Sequence, residues 1–240
     1  MKRLKKMGII CLIILAVPIL MFIYGCMGGT YRSKLLNELQ GEILYLKRDD
    51  DSILKIYQSK ANLEDEELIY EHHSMINNNI INFEYDETTK MITFEAFDDD
   101  LQTWAIFELA EDGTITKLKD TSGKDSFYGS SYDPVYNNSG LGVLSENGDL
   151  FLQNQATNEK TLIKDFKGSY DGKFSPGYIA SAISEDGKYV YYSYGKHLTP
   201  IGVILESLIN PNYKFTTYVM NLETKETSRY VDFEHIIFLP

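Results

Sequence analysis

From Gly41 onward, short apolar segments alternate with polar turns, and the apolar segments recur at a long period. One series reads GEILYL at 41–46, KMITFE at 90–95, GLGVLS at 140–145 and GKYVYY at 187–192. Their starts are 49, 50 and 47 residues apart. A second series follows at LKIYQS 54–59, AIFELA 105–110, LFLQNQ 150–155 and TYVMNL 217–222. After most of these comes a polar turn and another short strand, as in EDGTITKL at 111–118, ATNEKTLI at 156–163 and ETKETSRY at 223–230. A further strand-like stretch precedes the units, as in IINFEYD at 80–86 and YIASAIS at 178–184. Ile, Val, Tyr, Phe and Thr bounded by Gly, Asn, Asp and Ser are strand and turn chemistry.

The repeat is thus four strands in about fifty residues, the size of a propeller blade. One such sheet cannot bury both faces alone, whereas blades stacked around an axis bury them against one another. The pattern predicts an all-β fold, a small β-propeller of about four four-stranded blades. That ring is either closed or incomplete and finished by a partner. A last apolar strand, His235 to Leu239, is placed to complete the ring on the first blade. Strand-and-turn spacing of this kind also suits a two-sheet sandwich; the near-constant period favours the propeller.

The N-terminus is of a different kind. Lys2, Arg3, Lys5 and Lys6 precede an uncharged run from Met7 to Tyr24. A basic head before an apolar run reads as a secretory signal or a membrane anchor, preceding the propeller as an apolar helix. The cations hold the N-terminal side in the cytoplasm, so the expected location is the cell membrane, with the domain outside the cytoplasm. Gly25-Cys26 fits a bacterial lipobox, with Cys26 as the lipidation candidate, although Tyr24 is bulkier than usual there. An uncleaved anchor helix and ordinary secretion are the alternatives. The expected division is a signal or anchor over 1–29, a spacer over 30–40 and the propeller-like domain over 41–240. Within the spacer, Ser33 to Gln40 has the pattern for a helical turn or two.

In the fourth unit, ISEDGKYVYYS at 183–193 is followed by TYVMNLETKE at 217–226. This pair resembles the repeat of TolB-type β-propellers, in which a Ser-Pro-Asp-Gly-Lys turn leads into an apolar strand and a Tyr-rich strand ends in Asp-Leu-Glu-Thr-Gly. Ser184, Asp186, Gly187, Lys188, Leu222, Glu223 and Thr224 match; Glu185, Asn221 and Lys225 depart from it. The likeness covers about fifty residues. It implies the propeller fold, often with more than four blades, and no particular ligand.

Charge and chemistry narrow the function by class. The chain has 23 Lys and Arg against 35 Asp and Glu, a formal net charge of −12. An acidic surface repels phosphate backbones, so no nucleic-acid partner is expected. The only cysteines, Cys11 and Cys26, lie in or beside the apolar run, leaving the exported part without a disulfide or a thiol ligand. Asp49, Asp51, Asp98 and Asp100 belong to two acidic triplets at equivalent places in the first two units. They are the only metal candidates, for Ca²⁺, against the simpler reading of solvated hairpin tips. His72 and His73 are neighbours on opposite faces of an extended segment, a poor arrangement for one metal. Gly129-Ser130-Ser131 and Gly168-Ser169-Tyr170 lack the full nucleophile elbow. No catalytic residues and no cofactor are expected.

The fourth unit also carries an insertion. Thr199-Pro200 suits a helix start, Ile201, Ile204, Leu205 and Leu208 follow at helical spacing, and Asn210-Pro211 is a stop. Those four apolar residues either pack on their own blade or dock a partner. The expected function is therefore a non-enzymatic envelope protein that binds a protein or glycan on a propeller scaffold. An assembly subunit that completes an oligomeric ring and a carboxylate-dependent hydrolase are the alternatives.

Overall fold

A computed structural model describes residues 33–48, 53–74, 80–121, 134–170, 177–195 and 216–239. Cys26, Asp49, Asp51, Ile201, Ile204, Leu205 and Leu208 lie outside the described residues, as does the apolar run before Gly25. The chain divides into two compact units, Met1–Glu38 and Leu39–Pro240. In the first, helix α1 (Lys34–Glu38) begins after Ser33, whose Oγ accepts the Leu35 N–H at 3.2 Å. Among the described residues no helix is long and apolar enough to cross a membrane.

The second unit is built from four antiparallel four-stranded sheets. Strands β1 (Glu42–Arg48), β2 (Leu54–Lys60) and β3 (Glu67–Glu71) belong to blade 1. Blade 2 is β4 (Ile80–Asp86), β5 (Met91–Asp98), β6 (Thr103–Leu109) and β7 (Ile115–Thr121). Blade 3 is β8 (Val135–Tyr136), β9 (Leu141–Glu146), β10 (Asp149–Asn154) and β11 (Lys160–Lys164). Blade 4 is β12 (Gly177–Ile183), β13 (Tyr189–Gly195), β14 (Thr216–Asn221) and β15 (Thr227–Arg229). The chain then returns to blade 1 with β16 (His235–Leu239), giving the order β16-β1-β2-β3. β16 runs antiparallel to β1 from Glu42↔Leu239 to Leu46↔His235. Both ends of the domain thus meet in one sheet, as its last apolar strand predicts. The fold is a four-bladed β-propeller.

Strand alternation sets which residues fill each seam. Leu44, Leu46 and Ile56 of blade 1 share a buried cluster with Ile92, Phe94 and Phe107 of blade 2. A second cluster joins Val143 and Leu150 of blade 3 to Val190, Tyr192 and Met220 of blade 4. The seam between blades 4 and 1 is aromatic: the Tyr191 ring lies 5.0 Å from Tyr230 and 5.2 Å from Phe238. Across it the Tyr230 hydroxyl donates to the Ala61 carbonyl at 2.5 Å. The other face of blade 2 is less closed. Ile92, Phe94 and Ala96 are buried, while Thr93 and Phe97 on the opposite face are half-buried. Glu95, on that opposite face, is buried and accepts the Thr121 hydroxyl.

The turns repeat one device. Asp86, Asn154 and Asn221 each accept, on a side-chain oxygen, the backbone N–H groups two and three residues ahead. Each carbonyl of those three also accepts the N–H four residues on, from Lys90, Asn158 and Lys225, whose φ angles are 56°, 57° and 60°. The segments DETTK, NQATN and NLETK are therefore one hairpin turn in three blades. Lys225 occupies the left-handed position where the TolB-type pattern has Gly. At the junction of blades 3 and 4 the backbones meet: a Cβ on Gly177 would lie 2.5 Å from the Gly148 Cα, and the Tyr178 N–H donates to the Gly148 carbonyl.

Tyr230 gives a direct test of the closing seam. Tyr230→Phe removes the donor to a buried carbonyl while keeping the ring, and is expected to destabilise the domain by about 1–2 kcal/mol in chemical denaturation. Tyr194→Phe, at a half-exposed ring, serves as the control and is expected to change stability by less than about 0.5 kcal/mol.

Candidate functional site

The two ends of the propeller differ. In an antiparallel blade, the first and third connections leave from one end and the second connection from the other, where the chain also passes to the next blade. At the first end the connections are short hairpins: 87–90, 137–140 and 184–188, then 61–66, 110–114, 155–159 and 222–226. These turns are fixed to one another across blades. Asn137 donates from Nδ2 to the Ser184 carbonyl at 2.9 Å, and its Oδ1 accepts the Ser139 and Leu141 N–H groups. Asn138 reaches Glu185 on one side and Glu87 on the other. Ser184 and Asp186 close their own turn, with Ser184 Oγ donating to Asp186 Oδ1 at 2.6 Å.

At the opposite end the strands deliver the long connections 72–79, 122–134, 165–176 and 196–215, together with the tighter 49–53, 99–102, 147–148 and 230–234. The insertion of the fourth unit is rooted there, between Gly195 and Thr216, as are both acidic triplets. In propellers and other repeat scaffolds, binding residues concentrate on such connections. This end is the candidate site.

Its described residues form three groups. The first is the β5–β6 hairpin. Asp98 Oδ1 accepts the Asp100 and Leu101 N–H groups at 3.1 and 3.2 Å, and its Oδ2 accepts from Lys117 Nζ at 2.9 Å. Lys117 also pairs with Asp120 at 2.8 Å. Asp99 accepts the Ser74 hydroxyl at 3.1 Å, and Asp100 is exposed. Asp98 is thus engaged as a turn cap and ion-pair partner. Its lysine partner, followed by the Leu101 N–H, holds its carboxyl below the usual range. Among the described residues no group of three His, Cys, Asp or Glu side chains is arranged to hold a metal ion.

The second group joins blade 1 to blade 2. His72 follows β3, with Nδ1 2.9 Å from the Tyr70 hydroxyl and Nε2 2.7 Å from the Phe97 carbonyl. Its ring lies 5.6 Å from Phe107. His73 is exposed and 3.6 Å from Glu71. The two histidines go to different partners, as expected for neighbours on an extended chain.

The third group was not legible as a site in the sequence. Tyr178, Tyr192, Tyr194 and Tyr218 cluster on blade 4, with Tyr178 5.0 Å from Tyr194 and Tyr192 stacked 5.7 Å from Tyr218. Phe166 approaches Tyr178 and Tyr194 from the blade 3 side, and Lys164 Nζ sits 5.1 Å above the Tyr192 ring and 5.5 Å from Tyr178. Phe166 is held by its N–H to Asp149 Oδ1 at 2.7 Å. Burial pushes the Tyr192 hydroxyl up to about 12. The YVYYSYG run in β13 announces aromatic residues, but the rings and the lysine that join them from blades 3 and 4 become neighbours only through the fold.

No family model matches the sequence, and no curated protein matches it. Among solved structures, TolB from Acinetobacter baumannii is 14% identical, with a TM-score of 0.29, covering 79% of this chain. The chain spans 41% of that TolB. A putative TolB from Agrobacterium tumefaciens is 11% identical with a TM-score of 0.28, over 83% of this chain and 71% of that one. Regucalcin from Agrobacterium tumefaciens, described as a calcium-binding protein, is 12% identical with a TM-score of 0.30, over 81% and 77%. At these scores the blade assignment rests on the four sheets and their order.

The carboxylate-capped turns set a pH dependence. Asp86 is held low by the Thr89 and Thr88 N–H groups, Asp98 by Lys117 and the Leu101 N–H, and Asp112 by Thr114. A carboxyl lowered on folding contributes stability above its unfolded pKa, about 3.9 for Asp, and loses that contribution as pH falls through the folded value. The melting temperature is therefore expected to fall as pH drops below about 4. The fall is expected to be shallower in Asp98→Asn, as checked by thermal scans from neutral to acid pH.

Proposed function

We propose that this chain is a membrane-anchored, non-enzymatic binding protein of the cell envelope, which presents the loop-bearing end of its propeller, outside the cytoplasm, to a protein or glycan partner. The observation that carries the reading is the asymmetry of the two ends. Every connection at one end is a short turn capped by its own side chains, while 72–79, 122–134, 165–176 and 196–215 all emerge at the other. Three of these, 72–79, 122–134 and 165–176, pass from an outer strand to the next inner strand and lie at this end by topology; 196–215 joins neighbouring strands of one blade and is far longer than that pairing requires.

Location enters the proposal from the sequence. The basic cluster Lys2–Lys6 and the uncharged run Met7–Tyr24 support export with a retained anchor, through Cys26 or through the apolar segment itself. The aromatic cluster around Tyr178 and Tyr194 favours a ligand with flat apolar faces and hydroxyl groups, a class that includes sugar rings and aromatic side chains. The exposed carboxylate of Asp100 adds a hydrogen-bond acceptor at the same end.

The test separates the two ends. Full-length chain in detergent is titrated against purified peptidoglycan and, separately, against solubilised envelope protein. Tyr194→Ala and Asp100→Arg at the loop-bearing end are expected to weaken retention roughly tenfold or more. Glu111→Arg and Lys225→Glu at the hairpin end are expected to leave it unchanged. Equal loss from both ends, or loss only from the hairpin end, contradicts the assignment.

A further inference from the structure

Among the described residues, each blade ends in an outer strand with one unpaired edge: β3, β7, β11 and β15. Such edges are templates for another strand unless charge or shape blocks them. Two of the four match each other. β3 reads ELIYE over Glu67–Glu71, and β11 reads KTLIK over Lys160–Lys164. Both are five residues long, with a charge at each end and mostly apolar residues between. Each carries an outward-facing leucine: Leu68 is 46% exposed and Leu162 50% exposed.

Their charges oppose self-pairing and favour pairing with each other. Antiparallel β3 against itself sets Glu67 opposite Glu71, and β11 against itself sets Lys160 opposite Lys164; like charges in facing positions are disfavoured. Antiparallel β3 against β11 sets Glu67 opposite Lys164 and Glu71 opposite Lys160 at the ends, and between them each strand carries one irregularity in its existing ladder, at Ile69 and at Ile163. Of the remaining edges, β7 also exposes apolar residues, Ile115 and Leu118, but its charges do not match the ends of β3. Lys117 and Lys119 of β7 are two residues apart, not four, and Lys117 is held by Asp98 and Asp120. β15 is three residues long.

We propose that β3 of one copy pairs with β11 of a second copy of this chain, adding strand to strand between blades 1 and 3. These blades stand on opposite sides of a four-bladed ring, so the contact is head-to-tail and leaves a free β3 and a free β11 on every open assembly. Heterologous contacts of this kind form a ring where the rotation closes and an open array where it does not. The pairing redirects existing side chains. Glu71 turns from Lys55, at 3.4 Å, and Lys160 from Glu146, at 2.8 Å. Glu67 is exposed, and Lys164 lies over the Tyr178 and Tyr192 rings. The inference does not depend on the binding function proposed above, because association is read with no ligand present; Lys164 and Tyr70 also touch groups at the loop-bearing end, whereas Glu67 and Lys160 do not.

Sedimentation velocity of the detergent-solubilised full chain tests it, over a range of concentrations and at low and high salt. The sedimenting mass is expected to rise with concentration beyond the monomer, and less so at high salt. Glu67→Lys with Glu71→Lys, and separately Lys160→Glu with Lys164→Glu, are each expected to weaken association roughly tenfold or more. Mixing the two charge-reversed variants restores opposite charges at every contact and is expected to restore association. Where reversal prevents folding, judged by thermal unfolding, the milder Glu67→Gln with Glu71→Gln takes its place and is expected to weaken association. A wild-type chain that stays monomeric throughout overturns the proposal. So do folded reversal variants that associate like wild type, or a mixture that remains monomeric.

Discussion

The pairing of β16 with β1 is the interaction on which the rest of the domain depends. A blade is a thin sheet with two faces, and each face finds cover only if a neighbour stands on both sides. Three blades arise from consecutive segments of the chain. Blade 1 does not: its innermost strand comes from the opposite end of the domain, in register from Glu42↔Leu239 to Leu46↔His235. Without that strand, Ile237 and Leu239 leave the cluster shared by blades 1 and 2, and Phe238 leaves Tyr191. One ladder of hydrogen bonds therefore supports two seams.

The seams are unequal, and the inequality follows from residue type. Blades 1 and 2 join through Leu44, Leu46, Ile56, Phe94 and Phe107, and blades 3 and 4 through Val143, Leu150, Val190 and Met220. The seam from blade 4 to blade 1 is built from tyrosines, which bring hydroxyls as well as area; Tyr230 donates to Ala61 and Tyr45 to Glu66. Burial raises the pKa of Tyr191, Tyr230 and Tyr45 well above the ordinary phenol value, so all three stay neutral at physiological pH. The face of blade 2 turned away from blade 1 presents Thr93, Glu95, Phe97 and Trp104, a mixed set in which only Glu95 is buried. Opposite it, at the hairpin end, blades 2, 3 and 4 are linked by polar bonds through Glu87, Asn138 and Glu185.

Much of this was legible in the sequence because propellers repeat. The period of 47 to 50 residues fixes the blade, and each apolar segment of the two main series became a strand. Polar turns were legible in several units, but the family-like form of the turn in one only. SEDGK and NLETK stood out, whereas DETTK and NQATN show themselves as the same turn only once the bonds of Asp86, Asn154 and Asn221 are compared. The reason is physical: the turn asks for a short side-chain acceptor at its first position and a residue that tolerates positive φ at its fifth, and Asp, Asn and Lys satisfy those demands in several combinations. The site was less legible. Asp98 looked like a possible metal ligand because sequence does not show Lys117 or the turn N–H groups that occupy its oxygens. The cluster of Lys164, Phe166, Tyr178 and Tyr194 depends on two blades meeting, and no local pattern encodes that.

Amide hydrogen exchange across β16 tests the closure most directly. If β16 is the innermost strand of blade 1, the amides of residues 235–239 that bond to β1 exchange as slowly as those of β5 and β13, and they lose protection together with β1 as denaturant is added. If residues 235–239 exchange at the rate of an unstructured tail while β5 and β13 remain protected, the ring is not closed by this strand and the account of the fold is wrong.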